Sequence, residues 1–136
     1  MKKSIPVLWV FGAAVLIASI GPGAARANDN AAATEAAVSY AQDVYPVLEL
    51  RCLECHQPGG AGFEKSGLDL RTYDSLMKGT KFGPVVVPHE PFSSNLVMVI
   101  EQKTDPSIWM PHNRKKLSKC ERLLIRFWIS QGARDN

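Results

Sequence analysis

The chain has 136 residues, three cysteines and a formal net charge of +3, with 16 Lys and Arg against 13 Asp and Glu. This length allows one small domain with a modest core and excludes several domains. The C-terminal part is the most basic, but aromatic residues do not alternate with the bases over 114–119, so the composition argues against a nucleic-acid partner.

The N-terminal residues have the pattern of a secretory signal peptide. Lys2 and Lys3 precede an apolar run over 5–20, and the sequence ARA at 25–27 matches an A-x-A cleavage site. The run is shorter than the roughly 20 residues that a membrane-spanning helix needs. We therefore predict a cleaved signal peptide over 1–27 and a periplasmic or otherwise extracytoplasmic protein, which would contact a membrane only if the signal were retained.

Residues 28–41 are rich in alanine and polar side chains and predict a flexible leader before a domain over 42–136. The first helix is expected to begin near Asp43, which can cap it, to hold Pro46 in its first turn and to continue into Cys52. The apolar residues of this segment repeat at helical spacing.

The middle of the chain predicts short elements joined by loops. The glycine-rich segment QPGGAGFEKSG at 57–67 predicts a loop. A short helix is expected over Tyr73–Lys78, ended by Gly79. The three prolines and three valines of residues 82–91 predict an extended segment.

A further helix is expected to carry Leu96, Val97 and Ile100, with Ser93 or Ser94 as its cap. Two prolines in the segment that follows predict a loop.

The last helix has the clearest signals. Ser118 and Glu121 form an S-x-x-E capping box, and Gly132 marks the expected end. Its apolar stripe is expected to contain Leu123, Leu124, Phe127 and Trp128. Because no internal repeat or strand alternation is visible, the predicted class is mostly α, with a helix at each end and long loops between.

The stretch CLECH has a spacing with a specific chemical meaning. Cys52, Cys55 and His56 stand at i, i+3 and i+4, so a helical turn places all three side chains on one face. Two neighbouring thiols and one imidazole are what a porphyrin with two vinyl groups needs, and C-x-x-C-H is the attachment signature of c-type haem. Such haem is attached outside the cytoplasm, so the motif and the signal agree, and one covalent haem c is predicted.

Other interpretations of this motif are weaker. A zinc site would combine Cys52, Cys55 and Cys120 with a histidine, but no second C-x-x-C or H-x-x-x-H is present. A thioredoxin-like dithiol would need a βαβ setting. A disulfide between the two motif cysteines would leave His56 unexplained.

The residue opposite His56 on the iron would distinguish an electron carrier from a ligand-binding site. Met110 is favoured because IWMPHN is an irregular segment that can lay a thioether against a haem face. His112 in the same loop, His89 in another loop and an open site are the alternatives. Two other methionines are more consistent with core packing: Met77 and Met98.

Cys120 is the cysteine that the motif leaves over. It is interpreted as an ordinary residue of the last helix, as a partner in an intermolecular disulfide or as a reactive thiol, and the first interpretation is favoured.

Several stretches together resemble the planctomycete-type cytochrome c domain, a monohaem c-type cytochrome. They are DVYPVLELRCLECH, SGLDLRTYDSLMKG, GPVVVP, SSNLVMVI, MP and KLS, followed by LLIRFWISQGA. The resemblance implies a helical haem cradle in which the N- and C-terminal helices cross. It also implies thioether bonds at Cys52 and Cys55, His56 as the proximal ligand and Met110 as the methionine of the family's M-P pair.

The sequence departs from the family pattern at two positions. His89 stands where the family usually has glycine, and Cys120 occupies a position that is normally polar or acidic. Members of the family are often modules of larger chains.

These observations predict an extracytoplasmic electron-transfer protein without catalytic residues, rather than an enzyme. Its partners would be a redox donor and a redox acceptor that dock briefly, with the basic segment 114–119 as one contact. One alternative is a haem enzyme or ligand sensor with a labile sixth site. The other is an electron-entry subunit of a membrane-bound redox complex.

Overall fold

A computed structural model describes residues 36–136 of the chain. The predicted signal peptide over 1–27 and most of the predicted leader lie outside the described residues. The described elements are a π-helical turn at Tyr40–Val44, α1 at Tyr45–Arg51, α2 at Ala61–Ser66, α3 at Tyr73–Lys78, a 3₁₀ turn at Pro91–Ser93, α4 at Asn95–Ile100, a 3₁₀ turn at Pro106–Ile108, and α5 at Lys119–Ser130.

The mostly α class is confirmed. In the described part of the chain, pairing of the sheet type is limited to one isolated bridge between Thr80 and Gly83. None of the helices over 36–136 combines the length and the apolar character needed to cross a membrane.

Two helices have the bounds that their sequence signals predict. α3 is capped by Thr72, whose hydroxyl accepts from the N–H of Ser75 at 3.1 Å. At the start of α5, the hydroxyl of Ser118 accepts from the N–H of Glu121, whose carboxylate in turn accepts from the N–H of Ser118 at 2.6 Å. Gly132 adopts a φ of 102° just after α5, so this helix ends where predicted.

The first helix begins earlier than predicted. The hydroxyl of Ser39 caps it by accepting from the N–H of Gln42 at 3.1 Å. Asp43 also contributes, because its carboxylate accepts from the N–H of Ser39 at 2.8 Å. Tyr40 and Ala41 therefore belong to this helix rather than to the leader, and Tyr40 is buried in the core.

The prediction of a loop over 57–67 is wrong, because α2 occupies its second half. The glycines serve close packing there, since a Cβ on Gly60 would lie 2.5 Å from the carbonyl oxygen of Cys55. The N–H of Phe63 donates to that same oxygen at 2.9 Å, which fixes the first turn of α2 to the motif. Gly67 then ends the helix with a φ of 75°.

Ser94 precedes α4 as predicted, but its side chain does not cap that helix. Its hydroxyl donates to the carbonyl oxygen of Glu90 and accepts from the N–H of Val87, both at 2.9 Å. Ser94 therefore holds the end of the irregular segment 82–91 against the start of α4.

The predicted apolar stripe of α5 is only partly right. The buried residues of α5 are Ile125, Trp128 and Ile129. Phe127 is 40 % exposed, and Leu123 and Leu124 are half-buried. Apolar residues at helical spacing occupy two adjacent faces of this helix, and packing decides between them: the ring of Tyr40 lies 5.4 Å from that of Trp128. The helices at the two ends of the domain are thus in contact.

Candidate functional site

The three motif residues lie on the turn that follows α1. The N–H of Cys52 donates to the carbonyl oxygen of Leu48 at 2.8 Å. The N–H groups of Cys55 and His56 both donate to the carbonyl oxygen of Cys52 at 3.1 Å. This tight turn brings two thiols and an imidazole to one end of α1.

The two motif thiols are free but differ in environment. Cys55 is exposed, whereas Cys52 packs against the core. Burial raises the pKa of the Cys52 thiol to about 11, although the adjacent Arg51 guanidinium opposes the shift. Cys52 is therefore protonated at neutral pH in this fold.

His56 is buried, with 9 % of its surface exposed. Burial lowers the pKa of its imidazole, and the nearby backbone of Leu68 opposes this shift only in part. That backbone group lies outside hydrogen-bonding geometry, so Nδ1 has no hydrogen-bond partner within the described residues. The imidazole is neutral at neutral pH, which is the form that binds a metal.

Gly62 of α2 lies directly against this imidazole. A Cβ at position 62 would be 2.8 Å from Cε1 and 2.9 Å from Nε2 of His56, so no larger residue fits there without a shift. Sequence reasoning missed this contact because it took the glycines for loop residues. The sequence signal for α2 is Gly67, which directly follows AGFEKS. A glycine in the left-handed conformation commonly ends an α-helix.

A cleft of about 490 Å³ opens beside the motif, within the range of roughly 300–1,000 Å³ that is usual for ligand and cofactor sites. Its exposed wall is mostly apolar. Cys52, Cys55 and His56 line it together with Met110 and His112, which belong to the loop before α5. The fold therefore brings the motif and two of the predicted sixth ligands to one cavity.

Charged side chains at the cleft have one sign. Arg51, Lys65 and Arg114 line it, and no described Asp or Glu does so. An apolar cleft with a cationic lining suits a flat apolar ligand that carries carboxylates.

The loop side of the cleft is held by backbone contacts. The N–H of Met110 donates to the carbonyl oxygen of Val99 at 3.1 Å, and the Met110 side chain packs against the core. The bond from Met110 to Pro111 is cis. His112 is exposed at the surface of the cleft.

The remaining candidates for the sixth ligand lie elsewhere. Nδ1 of His89 is 3.2 Å from the carbonyl oxygen of Ser130, and its ring lies against Gly132 at the end of α5. Met77 packs against the core, and neither it nor Met98 lines the cleft. Of the five Met and His side chains considered as the sixth ligand, two line the cleft and three do not.

Cys120 is exposed on the first turn of α5 and does not line the cleft. Over residues 36–136, no group of three His, Cys, Asp or Glu side chains is placed to hold a metal ion. The described residues give no support to a zinc site that joins Cys120 to the motif.

The donor set of the cleft fits a covalent haem. Its two free thiols can form thioether bonds, and the neutral imidazole of His56 can bind iron. Gly62 leaves room beside that imidazole, and a thioether and a second imidazole line the same apolar cavity. These are the groups that c-type haem requires.

Comparison with known proteins gives an independent result. Residues 52–113 match the family model described as Planctomycete cytochrome C. Among solved structures, hydrazine synthase from Kuenenia stuttgartiensis is similar, with 22 % sequence identity, a TM-score of 0.50, and coverage of 71 % of this chain and 16 % of that chain. At this identity the likeness shows the fold alone. No curated protein matches the sequence significantly.

The family match begins at the first motif cysteine and ends just beyond Met110, so it contains both sides of the cleft. It agrees with the helical fold and with the resemblance that the sequence carries. The match therefore supports a planctomycete-type cytochrome c domain over residues 52–113, a family that implies covalently bound haem c.

Proposed function

We propose that the protein is an extracytoplasmic electron carrier with one haem c, bonded to Cys52 and Cys55, and with His56 and Met110 as axial ligands. The observation that carries the proposal is the shared cleft, which the motif lines together with a thioether from a distant loop. When bound, the haem supplies an iron that exchanges one electron with a partner. The secretory pattern over 1–27 supports the compartment.

In this proposal the chain's own residues fix the two ligands and exclude water. The carbonyl oxygen of His56 accepts from the N–H of Leu70 at 2.9 Å, and Gly62 closes against the imidazole. The backbone of Met110 is held by Val99. Ligation by His56 and Met110 would raise the reduction potential of the haem, which suits electron transfer without substrate binding.

The surface around the cleft supports brief docking of redox donors and acceptors. Phe82 is 82 % exposed and Ile108 is 48 % exposed, and both line the cleft. The basic segment 114–119 begins at the cleft with Arg114, and Lys115 and Lys119 are exposed. An apolar contact ringed by bases suits a transient partner with an acidic surface.

The test is the optical spectrum of the holo-protein, ferric and ferrous, with and without carbon monoxide. We expect a low-spin spectrum with the far-red methionine–iron band and no response to carbon monoxide. Met110→Ala should lose the band, whereas the matched His112→Ala should keep it. A low-spin wild type that lacks the band and whose spectrum changes only in His112→Ala would contradict the ligand assignment, and carbon monoxide binding by the wild type would contradict the carrier.

Two alternatives have one supporting observation each. His112 is exposed and lines the cleft, as a haem enzyme or ligand sensor with a labile sixth site would require. The similar region of hydrazine synthase is 16 % of a longer chain, which favours a module or an electron-entry subunit of a membrane-bound redox complex. Carbon monoxide binding by the wild type would favour the first, and recovery of the native holo-protein in a large membrane complex would favour the second.

A further inference from the structure

The loop from Met110 to Leu117 is anchored to the rest of the domain at both ends. At its start, the N–H of Met110 donates to the carbonyl oxygen of Val99 at 3.1 Å. At its end, Leu117 is buried, and Nζ of Lys116 donates to the carbonyl oxygen of Glu101 at 2.9 Å. These contacts tie the loop to α4 but not to the motif.

Arg51 makes the connection to the motif. It is the last residue of α1 and directly precedes Cys52. Its Nη2 donates to the carbonyl oxygen of Lys115 at 2.7 Å and, at 3.5 Å, to that of Lys116. Its Nε lies 3.8 Å from Oε1 of Glu121 in the first turn of α5. One side chain thus joins the motif, the far end of the loop and α5.

A second contact between the motif and the loop is weaker. Arg114 pairs with Glu54, which stands between the two motif cysteines. Their side chains are 43 % and 72 % exposed, and ion pairs so open to solvent contribute little. Arg51 and Glu121 are 26 % and 25 % exposed, and Arg51 also donates to backbone carbonyl groups. Arg51 is therefore the stronger of the two links.

We propose that Arg51 is a positioning residue that keeps Met110 on the sixth coordination site of the haem. This inference rests on the proposed function, in which Met110 is that ligand. His56 follows Arg51 by five residues, so the guanidinium fixes the distance between the elements that carry the two axial ligands. Without it the loop keeps its anchor at Val99, but only the exposed pair of Arg114 and Glu54 still links it to the motif, and the thioether can leave the iron.

The chemistry of arginine explains why this position needs it. The planar guanidinium directs several N–H groups at once, so it can bond two carbonyl groups and approach a carboxylate. Lysine keeps the charge and the apolar stem but has no such fork. Arg51→Lys should therefore show a partial defect, and Arg51→Gln a larger one.

The experiment uses full-length holo-protein of the wild type, Arg51→Lys, Arg51→Gln and the control Arg71→Gln. Arg71 also pairs with a carboxylate, that of Asp69, but it does not line the haem cleft. The readouts are the far-red methionine–iron band and the affinity of the ferrous protein for carbon monoxide. We expect the band to weaken and the carbon monoxide affinity to rise about tenfold or more in Arg51→Gln, because a hydrogen bond to a charged group is lost, with no change in Arg71→Gln.

The outcomes separate this inference from the proposed function. If the wild type shows the band and both Arg51 variants keep it, with unchanged carbon monoxide affinity, the positioning role is wrong and the carrier stands. If the wild type lacks the band and Met110→Ala has no effect, the ligand assignment fails, and this role fails with it. If Arg51→Gln does not fold, Arg51→Lys decides: a wild-type band and affinity there would overturn the role.

Discussion

Gly62 is the single residue whose missing side chain most directly shapes the haem site. Gly62→Ala places a methyl group about 2.8 Å from the imidazole of His56. We expect the variant to lose about 1–3 kcal/mol of unfolding free energy through overpacking and to change the ferric spectrum, because the ring must move. Urea unfolding and the optical spectrum of the holo-protein measure the two effects.

Gly59→Ala is the matched control for that substitution. Gly59 has a φ of 86°, but nothing lies within 4 Å of a Cβ at that position. We expect backbone strain of about 1–2 kcal/mol there and an unchanged spectrum. A wild-type spectrum in Gly62→Ala would contradict the packing role.

At the scale of single residues, the sequence predicts the haem-attachment site because its residues lie close together in the chain. Cys52, Cys55 and His56 are adjacent in sequence, and the fold places them as their spacing requires. His89 remained open as a ligand because its true contact, with Ser130 and Gly132, joins distant parts of the chain. No local pattern contains that information.

At the scale of elements, the start of α5 links its cap to the stability of the domain. Burial raises the pKa of Glu121, but the bonds to Ser118 and the charges of Arg51 and Arg122 outweigh this and lower it below 4.5. The ionised carboxylate therefore stabilises the fold above that value, and the contribution disappears as pH falls through the lowered pKa.

Glu121→Gln tests this linkage. We expect the variant to be less stable than the wild type at neutral pH, and the difference to shrink as pH falls below about 4.5. Urea unfolding across that range measures it, with Glu49→Gln, on an exposed position of α1, as the control. A difference that does not vary with pH would contradict the role of the carboxylate.

The bounds of some helices can be predicted from the sequence and those of others cannot, because some helices are capped by neighbouring residues and others depend on tertiary contacts. α3 and α5 carry their own caps, and their bounds follow from neighbouring residues. α2 has a local signal only at its end, Gly67, and its start depends on the carbonyl oxygen of Cys55 and on the space beside His56. The buried face of α5 was likewise fixed by the packing of Tyr40 on Trp128.

At the scale of the whole molecule, charge is unevenly distributed. Residues 29–74 contain eight acids and three bases, whereas residues 114–134 contain seven bases and one acid. The basic part begins at the cleft, so an anionic redox partner should be drawn towards the haem. The pairing of the motif with the loop of Met110 does not follow from the C-x-x-C-H spacing; the irregular segment around Met110 and the family resemblance predicted it.

Ferricyanide is a suitable anionic probe of this attraction. We expect the oxidation of the ferrous protein by ferricyanide to slow as ionic strength rises, because salt screens the charges over roughly 10 Å. Lys115→Gln combined with Lys119→Gln should be slower at low salt and less sensitive to salt, whereas Lys78→Gln on α3 should match the wild type. A rate that is independent of salt in the wild type would contradict electrostatic steering.

The burial of Cys52 also has a consequence for the order of events in biosynthesis. In a chain that folded before haem attachment, the Cys52 thiol would be protonated at neutral pH and packed against the core, which would make it a poor nucleophile. We therefore expect the thioether bond at Cys52 to form while the chain is still open, before α2 closes over the motif. The native domain is then the product of haem attachment and not the template for it.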